Sequence, residues 1–157
     1  MREILYRGKA INRDEGITEQ YKNGDWVYGL ITRLYDDRPS AEMTDVNEVS
    51  RTEVDYKTVG QFTGSYDKNN KKIFEGDVGV VKTKSCEFIG FVEFSIEYAR
   101  YVWRTKSGAI YPMDYKFEYE IIGDIYDTFW WKYVDIRMVI HNEMPYMLEQ
   151  PLQLRYL

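Results

Sequence analysis

The sequence predicts a mainly β domain, an antiparallel small barrel or sandwich, with an apolar C-terminal tail that docks on itself or on a partner. A β-rich α+β arrangement is the variant it leaves open. Three observations carry this prediction. Short runs rich in Val, Ile, Tyr, Phe and Trp are punctuated by Gly, Asn and Asp along most of the chain. Aromatic residues make up 17%, chiefly through 15 Tyr, a residue that suits sheets and interfaces because its ring is apolar and its hydroxyl wet. The length, 157 residues, allows one domain with a core and leaves no room for two comfortable ones.

Along the chain, "ILYRGKAI" alternates in the manner of a strand, and Asn23-Gly24 is a strong tight-turn dipeptide. In "DWVYGLITRLY", Trp26, Tyr28 and Leu30 fall on one face and Val27 and Ile31 on the other, so a strand is expected. Residues 36–55 are acidic and polar, contain Pro39 and show no sustained period. They read as a long surface loop, with room for a short helical turn.

Gly60, Gly64, the cluster 67–70, Gly76 and Gly79 divide the next stretch into short strands. "EFIGFVEFSIEY" sets Phe88, Val92, Phe94 and Ile96 on one face and Ile89 and Phe91 on the other. A strand apolar on both sides is central in a sheet or buried against a partner. Tyr101 and Trp103 run into a turn at Ser107-Gly108 and Ile110-Tyr111 run out, which predicts a hairpin; "YEIIGDIYD" is a last short strand. The tail beyond Asp127 fits helical and extended periods equally. It carries too much apolar surface to stand free in water.

Composition narrows the chemistry. A net charge of -5 disfavours a general nucleic-acid binder, whose affinity rests on neutralising phosphates. One Cys and one His rule out an internal disulfide and a zinc site built from several such ligands. The N-terminus lacks a signal-peptide core and no run is long and uncharged enough to span a membrane, so a cytoplasmic protein is expected.

No catalytic set emerges. Glu75 with Asp77, Glu93 with Glu97 and Asp124 with Asp127 are carboxylate pairs, but acid–base work needs two differently tuned environments. Around Gly76 the simpler expectation is a turn, with the Asp side chains capping backbone amides. Lys68, Lys71 and Lys72 oppose a cation at Asp67, and the spacing of a calcium loop is absent. Cys86 is expected to be a buried, inert thiol and His141 a surface or interface residue. No phosphate-binding glycine motif is present, and no cofactor is implied. The runner-up to a protein-binding role is a basic, aromatic-flanked face for single-stranded nucleic acid, drawn from Arg7, Lys9, Lys71, Lys72, Lys82 and Lys84. A hydrolase using one of the carboxylate pairs is a remote third.

"ILYRGKAI", "GDWVYGLI", "TVGQFTGSYDKNNKKIFEGDV", "EYARY" and "YEIIGDIYD" occur in an order and wording that resemble the YopX-like family of phage and prophage proteins, over residues 1–127. The resemblance implies a mostly β, cytosolic, phage-encoded domain that self-associates, and supplies no catalytic residues. Arg13 to Lys22 reads as an insertion, and residues 128–157 as an extension outside the resemblance. The expected function is therefore that of a non-enzymatic, homo-oligomeric accessory protein that binds a phage or host protein. Phe91, Trp130, Trp131, Ile136 and Met138 are its candidate interface residues.

Overall fold

A computed structural model describes residues 3–11, 21–45 and 51–126. The described residues contain eleven strands and one short 3-10 turn. The strands are β1 (Tyr6–Lys9), β2 (Trp26–Leu34), β3 (Ser40–Asp45), β4 (Arg51–Asp55), β5 (Gly60–Tyr66) and β6 (Lys72–Phe74), then β7 (Asp77–Lys82), β8 (Glu87–Ser95), β9 (Arg100–Thr105), β10 (Ile110–Pro112) and β11 (Glu118–Asp124). They form two antiparallel sheets, ordered β4-β3-β2-β1-β5-β6 and β10-β9-β8-β7-β11. The mainly β expectation holds. No closed barrel forms, and no α-helix occurs among the described residues.

The first sheet curls. Ala10 bridges Val54 and the Ile11 amide donates to the Glu53 carbonyl (2.8 Å), so β4 turns back over the end of β1 at a single bridge. Its concave side is filled by Ala10, Val27, Ala41, Met43 and Val54, all buried, with Tyr6 and Ile31 against them. Gly8 is required there, because a Cβ would stand 2.9 Å from Val54 Cγ2. The division of β2 into two faces is as expected: Val27 and Ile31 join this core, and Tyr28 and Leu30 point away from it.

The stretch 36–55, expected as a surface loop, instead supplies β3 and β4, paired from Ser40↔Asp55 to Thr44↔Arg51. Ala41, Met43 and Val54 face inward while Glu42, Glu53 and Arg51 line the other side. The inward residues are too few and too small to stand out against the charged ones in the sequence. Burial of those few beneath β1 and β2 decides the structure.

In the second sheet β8 is flanked by β7 and β9, the first of the two placements expected for its two apolar faces. One face carries Val81, Val92, Trp103 and Tyr119, buried with Ile73 and packed by Phe88, Tyr101, Tyr111 and Ile121. Gly79 lies beneath the Trp103 ring, 2.8 Å from where a Cβ would sit, which allows the indole to lie flat on β7. The hairpin of β9 and β10 turns at Gly108 with φ +87, as the Ser-Gly dipeptide predicted.

Candidate functional site

The hinge between the sheets is the segment that leaves β6 and enters β7. Gly76 has φ +81, a conformation that glycine adopts at no steric cost. Its amide donates to the Val92 carbonyl (2.9 Å), and its carbonyl accepts the Ile125 amide (2.9 Å). A single residue thus ties the bend to β8 and to the end of β11. Tyr126 lies over Gly76 and meets the Trp26 ring edge-on, with centroids 5.9 Å apart.

Asp77 follows, 1% exposed, and its two oxygens take different partners. Oδ2 accepts the Phe74 amide (2.7 Å), closing the turn, and Oδ1 pairs with Arg7 Nη1 (2.7 Å) across the two sheets. Arg7 Nη2 donates to the Glu75 carbonyl (3.2 Å), and its guanidinium stacks 4.2 Å from the Trp26 ring centre and 5.1 Å from that of Phe74. Arg7 Nε has no acceptor among the described residues; the flanking rings cover it instead. Burial pushes the Asp77 carboxyl up from its ordinary value, and Arg7 and the Phe74 amide oppose that shift without cancelling it.

The other turn in this region is held by Asp67. Its Oδ1 accepts the amides of Asn69 and Lys71 (both 2.8 Å), and its Oδ2 accepts the Ile121 amide (3.3 Å). The Lys68 amide donates to the Tyr119 carbonyl (2.8 Å), so the turn covers the outer edge of β11. The expectation that these carboxylates cap backbone amides agrees with this geometry. No group of His, Cys, Asp or Glu suited to a metal ion occurs among the described residues.

The proposed basic face is dispersed. Arg7 is 3% exposed and belongs to the inter-sheet pair, a role invisible in a sequence where it looks like any strand-borne cation. Lys9 lies over Trp26 at 5.2 Å, and its amide donates to the Thr58 hydroxyl. Lys72 pairs with Glu3 (2.6 Å), and Lys68 with Glu120 (2.7 Å). Lys82 stands in register between Glu87 and Glu118. Lys71 and Lys84 are exposed.

Among the other candidates, Glu93 is engaged by Arg104 (2.5 Å) and Glu97 sits in the β8–β9 turn. Cys86 is half-buried beside the Thr83 hydroxyl (3.3 Å), less enclosed than expected. Phe91 packs on Val78 with Ile89, Ile122 and Ile125. Asp127, Trp130, Trp131, Ile136, Met138 and His141 lie outside the described residues.

A family model described as "YopX protein" matches residues 13–128. This chain belongs to the YopX family. The match takes in β2 to β11 and the whole Gly76 hinge, and leaves residues 129–157 uncovered. It begins at Arg13, so β1 lies before it and the stretch expected to be an insertion lies within it. No curated protein and no solved structure matches the chain. In this YopX-family chain Arg7, which completes the hinge, therefore comes from outside the family-matched span.

Proposed function

We propose that this YopX-family protein is a non-enzymatic phage or prophage accessory protein that works by self-association and by binding a phage or host protein in the cytoplasm. The observation that supports this reading is the tip of the β8–β9 hairpin. Phe94, at the end of β8, and Ile96 and Tyr98, in the turn closed by the Ala99 amide on the Ile96 carbonyl, are 45%, 90% and 53% exposed there. Large apolar side chains gathered at one exposed tip are the usual mark of a surface that binds protein. The acid-matched lysines favour this reading over a nucleic-acid one, because phosphate binding draws on uncompensated cations.

Light scattering on the full chain at micromolar concentration tests the proposal. An oligomer that dissociates on the double substitution Ile96→Glu and Tyr98→Ser is the expected result. A monomer at every concentration would sink self-association. Salt-sensitive polarisation shifts with labelled single-stranded DNA or RNA would instead favour the nucleic-acid role.

A further inference from the structure

The two large cores do not cross the molecule. That around Met43 is filled from β1 to β4 and their flanks, and that around Trp103 from the second sheet, with Ile73 of β6 added to it. Ile73 and the Asp67 turn, which reaches the Ile121 amide in β11, bind the β5–β6 hairpin to the second sheet. A seam therefore runs between β1–β4 and the rest of the described chain. Backbone pairing across it is short: Tyr6↔Gln61 and Arg7↔Gly60, extended by the Phe62 amide on the Leu5 carbonyl (2.8 Å). Side chains supply further ties. Arg7, Trp26 and Tyr28 come from β1 and β2, and Phe74, Glu75 and Asp77 from the bend. They meet through the Arg7 ion pair, the Arg7 bond to the Glu75 carbonyl, and the Tyr28 and Phe74 rings, 5.5 Å between centroids.

Tyr126 lies across this seam. Its backbone is held from the second sheet's side, by the Ile125 amide on the Gly76 carbonyl and by its own amide on Asp124 Oδ1 (2.9 Å). Its ring reaches the other side, over Gly76 and edge-on to Trp26 of β2. Burial pushes its hydroxyl above the ordinary value, and the charges that act on it come from both sides: Arg7 and Asp55 from β1 and β4, Glu75 and Asp124 from the bend and β11. A single edge-on ring contact is small beside the hydrogen bonds of the strands that flank it. It can open locally while both cores stay filled.

We propose that Tyr126 is a strap across the seam. Closed on Trp26, it holds β1–β4 at one angle to the second sheet. Lifted, it leaves the Arg7–Asp77 pair and the short β1–β5 pairing as a pivot, and the single angle becomes a range. The chain continues from Tyr126 directly into position 127, so a pull from that end acts on the strap first. The device goes beyond the binding role proposed above, and it uses none of the residues at the Ile96 tip.

Spin-label distances in the full-length chain test it. Cys86→Ser removes the native thiol, and Arg33→Cys and Ser107→Cys place exposed labels on β2 and on the β9–β10 turn, one on each side of the seam. Labelled protein is diluted into an excess of unlabelled chain, so that the distances read are those within one subunit. A single narrow distribution is expected in this background and with Tyr126→Phe, which keeps the ring. Tyr126→Ala should broaden and shift the distribution, with urea unfolding still cooperative. An unchanged distribution in Tyr126→Ala would overturn the strap. So would loss of cooperative unfolding, which would make the ring part of the core, or equal broadening in Tyr126→Phe, which would assign the hold to the hydroxyl. The readout lies within one subunit, so the strap and the proposed self-association can fail separately.

Discussion

Arg7 and Asp77 form a buried ion pair of 2.7 Å that joins the two sheets, with side chains 4% and 1% exposed. Neither charge is solvated, so each depends on the other and on the stacked rings and amides around them. Removing one partner of such a pair costs about 3–5 kcal/mol, because the survivor is left charged in an apolar setting.

The pair makes a prediction about pH. Because burial raises the Asp77 carboxyl above 3.8, the folded state holds that proton more tightly than the unfolded chain. Its contribution to stability is full below 3.8 and is lost as pH rises through the folded value. Arg7→Met removes the opposing charge and raises the carboxyl further. The variant is expected to lose about 3–5 kcal/mol at neutral pH, with the deficit shrinking as the buffer is made more acid. Adding Asp77→Asn, which keeps an acceptor for the Phe74 amide, should restore much of the loss. Urea unfolding of the four proteins of this cycle at several pH values checks it, and a deficit that does not change with pH would refute it.

Gly76 yields a second prediction. A valine there would hold a β-branched residue at φ +81, and its Cβ would stand 3.0 Å from Tyr126 Cε2. Gly76→Val is expected to cost about 1–3 kcal/mol from backbone strain. Lys71→Ala, on an exposed side chain, should stay within about 0.5 kcal/mol of the parent. Thermal melts compare them directly, and equal melting temperatures would count against the hinge.

Most of the strands were legible because their cause is local. The alternation in Trp26–Ile31, the two apolar faces of Phe88–Phe94 and the glycines at turns each record a constraint a few residues long. The caps of Asp67 and Asp77 were legible for the same reason. What sequence reading missed depends on distant partners. Ala41, Met43 and Val54 become a core only when β4 curls back to Ala10, and Arg7 becomes structural only when Asp77 arrives from 70 positions away. The role of Arg7 left no local signal, because β1 carries Lys9 as well and nothing in the sequence separates the two cations.

Asp67 tests how far a turn can stabilise a sheet edge. Its carboxylate accepts two amides within its own turn and a third from Ile121 in β11. Asp67→Ala leaves these donors without their acceptor and is expected to cost about 1.5–3 kcal/mol, as for hydrogen bonds to a charged group. Asp67→Asn keeps one acceptor oxygen and should fall between. Hydrogen exchange resolves the point: the Ile121 amide should lose protection in the alanine variant while amides in β2 and β3 lose only what global stability dictates. Uniform loss would mean that the turn does not hold the β11 edge.

Truncation after Asp127 separates the folding role of the tail from its role in assembly. The described residues already contain two filled cores, around Met43 and around Trp103, and the ion pair that joins the sheets. The shortened chain is therefore expected to keep a cooperative unfolding transition. Residues 128–157 carry Trp130, Trp131, Ile136 and Met138, large apolar side chains of the kind that drive association between subunits. The truncated protein should thus scatter as a smaller species than the full chain at the same concentration. Loss of cooperative unfolding would show that the tail is part of the core. An unchanged oligomer size with folding intact would show that the tail takes no part in assembly.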